Sequence, residues 1–95
     1  MTTLDEFLAR GIPLTEAFLA TEPGTPTFTQ KGVEIATLND DFEEATTPGG
    51  KPEWWAMSSL MQLTIAYGKD PTDARREVAV EALEKAKECV RVEEK

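Results

Sequence analysis

The chain has 95 residues, with eighteen acids against ten bases for a formal charge of −8, and it contains no histidine. That length corresponds to one domain (1–95) with a small core, since domains run to roughly 100–150 residues and one this size buries somewhat over 60% of the surface its unfolded chain exposes. The acid surplus argues against nucleic acid or an anionic membrane leaflet as a direct ligand. The missing histidine removes Ser–His and Cys–His nucleophile pairs and His-ligated zinc, and the single cysteine, Cys89, cannot close an intramolecular disulfide.

Taken in order, Thr2 or Thr3 suits the cap of a short helix with Leu4, Phe7 and Leu8 at i, i+3 and i+4, which Gly11 would end. Pro13 opens a second short helix carrying Leu14, Phe18 and Leu19, and Glu22–Pro26 reads as a loop. Residues 25–38 are rich in Thr, Val, Ile and Phe. They read as a short β-hairpin with Lys31–Gly32 at the turn and Gly32 supplying a positive φ. Asn39 caps one or two helical turns whose acids lie near the N-terminus, and 46–52 is an internal loop with two prolines and two glycines.

Two longer helices follow, at about 53–67 and 71–91. In the first, Trp54, Met57, Met61 and Ile65 share one face, while Ala56, Leu60, Leu63 and Tyr67 share nearly the opposite one. A helix apolar on two faces is either the central helix of its domain or carries an interface. Gly68 is its expected stop. Asp70-Pro71-Thr72-Asp73 reads as N-cap, N1 and an acid at N3 of the second helix, whose inner stripe is Ala79, Ala82, Leu83, Ala86 and Val90. The short connection makes the two helices an antiparallel pair, and the three alanines permit close approach. Residues 92–95 read as a frayed tail. The predicted architecture is therefore mainly α, with three to five helices, an antiparallel C-terminal pair and the hairpin between the halves.

Trp54-Trp55 is the most distinctive dipeptide. Neighbouring helical residues point about 100° apart, so one ring packs inside and the other is left partly exposed or in an interface; the competing readings are that this small core accommodates both, or that one stacks on a ligand. Trp54, Trp55, Met57, Met61 and Ile65 are accordingly the candidate partner-binding residues. The acids concentrate at Asp40, Asp41, Glu43 and Glu44 and in the row Glu77, Glu81, Glu84 and Glu88, spaced i, i+4, i+7 and i+11 opposite the inner stripe of the last helix. Such a row is ordinarily the solvated back of an amphipathic helix, supported here by a Glu81–Lys85 pair at i, i+4. Its functional reading is a surface for a basic partner. The run at 39–44 lacks the spacing and central glycine of an EF-hand loop, and Gly49-Gly50-Lys51 lacks the phosphate-loop pattern. No metal, cofactor or catalytic residue is expected.

The N-terminus shows neither a basic region nor an apolar core of a signal peptide, and the most apolar stretch, 54–67, is too short and polar to span a bilayer. A cytoplasmic, reducing setting is expected. The functional expectation is a non-enzymatic protein–protein interaction module (a regulatory, accessory or assembly subunit) that uses an apolar helix face and an acidic surface. Its partner is a protein with a basic surface or a second copy of the chain. The alternative is an inhibitor of the type phages deploy, which mimics nucleic acid with surface carboxylates and blocks a DNA- or RNA-binding complex.

Overall fold

The computed structural model describes residues 4–47 and 52–93. They form four α-helices: α1 (Leu4–Leu19), α2 (Pro26–Ala45), α3 (Pro52–Lys69) and α4 (Asp73–Glu93). Among the described residues there is no strand. The expected cap at Thr2 or Thr3, positions 48–51 of the expected loop and the last two residues of the expected tail lie outside them. α1 and α3 each pack against the other three helices, whereas α2 and α4 do not touch. The α3–α4 pair is antiparallel and makes the most extensive contact in the molecule.

α1 is one helix, not two. Gly11 and Pro13 both lie inside it. Phe7, Leu8, Gly11, Thr15, Phe18 and Leu19 are all buried along one face, and that continuous stripe outweighs the backbone bond Pro13 cannot make. Gly11 is there for closeness rather than for termination: a Cβ at this position would lie 3.1 Å from Met57 Cε on α3. The C-terminal end of α1 is tied down from a distance, because the Arg76 guanidinium of α4 donates to the Leu19 carbonyl from Nε (3.3 Å) and Nη2 (3.1 Å).

The hairpin expected over 25–38 is α2. Its start resembles the Asp70-Pro71 signal: Thr25 is the N-cap, its hydroxyl accepting from the Phe28 N–H at 3.2 Å, with Pro26 in the first turn. Phe28, Ile35 and Phe42, seven residues apart, are buried on one face together with Leu38. Burial at helical period thus overrides the strand preference of Thr27, Thr29, Val33 and Thr37. Gly32 is helical. Gly24 alone among the described residues has a positive φ (88°), in the turn before Thr25. Asn39 caps nothing. It lies buried within α2 and donates from Nδ2 to Glu43 Oε1 at 2.8 Å.

α3 continues through Gly68 to Lys69. The glycine serves the neighbouring helix, since a Cβ there would stand 3.1 Å from Phe18 Cζ. The Phe18 ring fills the slot between Gly68 of α3 and Gly32 of α2, stacks on Phe28 (centroids 4.5 Å apart) and meets Tyr67 edge-on at 5.8 Å. The N-cap of α4 is Thr72 rather than Asp70: its Oγ1 accepts from the Arg75 N–H at 3.2 Å, and its carbonyl accepts from the Arg76 N–H at 3.0 Å. Asp70 instead pairs with Arg75 (3.2 Å). The inner stripe is as expected at Ala79, Ala82, Leu83 and Ala86, all buried, while the side chain of Val90, its fifth expected member, lies outside those described. α4 runs on to Glu93, two residues into the stretch expected to fray.

The two close-approach glycines differ in what they meet. Gly68→Ala pushes a methyl group against a rigid ring held on three sides, an overpacking cost of about 1–3 kcal/mol that exceeds the roughly 0.5–1 kcal/mol helix gain. Gly11→Ala meets thioether ends that can shift, so the helix gain largely survives. Urea unfolding should show Gly68→Ala destabilised and Gly11→Ala neutral or stabilised. The reverse order would contradict this packing.

Candidate functional site: a groove between α3 and α4

α3 uses most of its circumference inside the molecule. Met57, Leu60, Met61 and Thr64 are fully buried, and Trp54 and Tyr67 nearly so. The face expected to dock a partner is therefore largely core: Met57 and Met61 pack under α1 at Gly11, and Ile65 is a partly buried residue against the same core. Trp54 lies over Phe42 of α2 (5.4 Å between centroids), and its indole N–H donates to the Thr46 hydroxyl at 2.9 Å, which donates in turn to the Phe42 carbonyl at 2.7 Å. The physical reason is coverage, since α1 and α2 close over this side of α3 once 26–45 is a helix. α3 is the central helix, and this face is satisfied within the chain.

Trp55 is the exception. It is 54% exposed, one of three large apolar side chains left outside among the described residues, with Val78 at 42% and Val33 at 61%. The tryptophan pair thus divides as adjacent helical positions must, one ring inside and one outside, with the rings edge to face at 4.8 Å. Trp54, locked by Phe42 and Thr46, is the fixed surface against which Trp55 rests.

Trp55 and Val78 stand on the two walls of one groove. Its α3 wall is Pro52, Trp55, Ala56, Ser59 and Leu63, and its α4 wall is Val78, Glu81, Ala82, Lys85 and Cys89, around a volume of about 460 Å³. Each wall is a stripe at i, i+3, i+4, i+7 and i+11, the spacing of a single helix face over about 16 Å. Ala56, Ser59 and Ala82 keep the groove open because they are small, and they are small partly because α3 and α4 approach closely. The polar residues are Ser59, Glu81 and Lys85. The expected Glu81–Lys85 ion pair does not form, and Lys85 makes no ion pair among the described residues. Among the described residues no group of three or more His, Cys, Asp or Glu side chains could hold a metal ion. No helix among them is long and apolar enough to cross a membrane.

The acids divide between helices that do not touch. Glu77, Glu81, Glu84 and Glu88 are exposed along α4, and Lys87 bridges Glu84 (3.7 Å) to Glu16 of α1 (3.1 Å). Asp40, Asp41, Glu43 and Glu44 are exposed at the C-terminal end of α2, which has no basic residue in its last turn. Glu43 and Glu44 thus stand in the last turn beside the negative end of the helix dipole, the opposite of the expected placement, at a cost of a few tenths of a kcal/mol to about 1 kcal/mol each. A second cavity, about 270 Å³, opens between α2 and α3 beside Phe18, Gly32, Val33 and Gly68.

Comparison with family models, curated proteins and solved structures returns no match. The groove was not read from the sequence because each of its walls mixes apolar, small and charged residues. The repeated i, i+3, i+4, i+7, i+11 spacing from Pro52 and from Val78 is the signal that could have found it.

Core and groove residues should respond oppositely to truncation. Met57→Ala and Met61→Ala each remove a fully buried side chain, at a cost of about 2–5 kcal/mol. Trp55→Ala loses one edge-to-face contact and should cost no more than about 1 kcal/mol. Thermal and urea unfolding of the three variants check this; mild effects at 57 and 61 with a large one at 55 would invert the assignment.

Proposed function

We propose that this chain is a non-enzymatic protein–protein interaction module and that it receives a helix of its partner in the α3–α4 groove. The observation that carries this reading is the pairing of exposed Trp55 with exposed Val78 across a channel of small residues. A helix-in-groove contact needs two apolar walls at helical spacing, a floor that lets a backbone approach, and a rigid aromatic anchor. Trp55 supplies the anchor, since Trp54 fixes it on one side. Three polar side chains in ten lining residues suit the walls of a protein interface better than a reaction centre, which gathers convergent polar groups.

Self-association through Trp54, Met57, Met61 and Ile65 loses its motive once those residues lie within the core. Pairing of two copies across the grooves would also bring the glutamate rows of two chains of charge −8 together. A partner of different sequence is therefore the occupant.

Selection from a displayed library of helical peptides about 15 residues long tests the reading whatever the partner's identity. Binders should carry apolar residues at i, i+3 or i+4, and i+7, and Ser59→Trp, which fills the groove from an exposed position, should abolish their binding. Light scattering should show a monomer at the highest soluble concentration. Binders that ignore Ser59→Trp, or a stable dimer, would contradict it.

A further inference from the structure

The two rims of the groove are unlike, and the difference says what kind of helix fits. At about 100° per residue, the row Glu77, Glu81, Glu84 and Glu88 lies about 90° around α4 from the centre of the groove stripe, on the side away from the buried alanines. It therefore forms the outer edge of the α4 wall. Glu77, Glu81 and Glu88 make no ion pair among the described residues, and Glu84 is held only at 3.7 Å by Lys87. On α3 the corresponding edge is Trp55, Ser58 and Gln62, with a charge among the described residues only at Lys69, where the helix ends. Lys85 stands within the α4 wall and does not break the row of four carboxylates beside it.

From this asymmetry we infer that the occupant is a single amphipathic helix of about three turns with lysines or arginines along one edge only, laid so that this edge runs beside the α4 glutamates and its uncharged edge beside Trp55 and Gln62. This rests on the groove being the docking site. The four glutamates in one row, otherwise a modest cost to α4 through like-charge repulsion, become the feature that orients the ligand. Its apolar face fills the channel between Trp55 and Val78, and the basic edge fixes its rotation about its own axis.

Three synthetic peptides about 15 residues long, sharing one apolar face and differing only along one edge as Lys, Gln or Glu, separate the outcomes. Binding is read from peptide fluorescence anisotropy against the full chain. The Lys-edged peptide should bind about tenfold more tightly than the Gln-edged one, and the Glu-edged one should not bind. Changing Glu77, Glu81, Glu84 and Glu88 to Gln should erase that tenfold preference, as should about 0.5 M salt, while Ser59→Trp should abolish binding altogether. Equal binding of the Lys- and Gln-edged peptides, both blocked by Ser59→Trp, would overturn the charged edge and leave the groove reading standing. Lys-edged binding that survives Ser59→Trp would overturn the inference as adhesion elsewhere on an acidic surface. Failure of all three peptides would overturn both.

Discussion

The arrangement depends on one constraint, that α3 is apolar around most of its surface and has to be covered from more than one side. Phe18 does much of the covering on one side. It can lie flat between α2 and α3 because Gly32 and Gly68 leave room for its ring, and Phe28 and Tyr67 then hold it there. With α1 and α2 closed over α3, Trp54, Met57 and Met61 are withdrawn from the surface. α4 covers the remaining side with alanines. Alanines bring the backbones together but do not reach outward, so the strip of α3 from Pro52 to Leu63 keeps an open edge. The groove is the consequence of covering a helix with a neighbour whose contact face is small.

Two polar features run against simple stability. Thr15 and Thr64 are fully buried with hydroxyls that lack a hydrogen-bond partner, and the α2 acids stand at the wrong end of its dipole. An unsatisfied buried hydroxyl costs about 1–3 kcal/mol, comparable to a sizeable share of the roughly 5–15 kcal/mol that holds a domain together. Offsetting contacts come from Trp54 through Thr46 to Phe42, and from Arg76 to the end of α1. The first ties α3 to the end of α2 just before it, the second joins helices 57 residues apart in sequence, and both start from donors with a fixed planar geometry.

The antiparallel C-terminal pair, the alanine stripe and the division of Trp54 from Trp55 were legible in the sequence, because each follows from helical spacing and from chemistry within a few residues. α2 was not. Its β-branched residues and Gly32 imitate a hairpin locally, and the deciding pattern, Phe28, Ile35 and Phe42 at a period of seven, has effect only when α1 and α3 are present to bury it. The merging of two short helices into α1 has the same origin, since Pro13 and Gly11 read as breaks until the stripe on either side is seen packed against Met57. The acids at 77, 81, 84 and 88 were legible as a row. Their position beside an open groove was not, because that depends on which face of α4 its neighbour leaves uncovered.

The chain satisfies the Trp54 side of α3 internally and leaves the Trp55 side open. Acrylamide quenching of two single-tryptophan variants, Trp54→Phe and Trp55→Phe, measures it directly. Strong quenching of the ring left at 55 and a shielded, weakly quenched ring at 54 are expected, in a monomer. A shielded ring at 55, or a freely quenched one at 54, would contradict it.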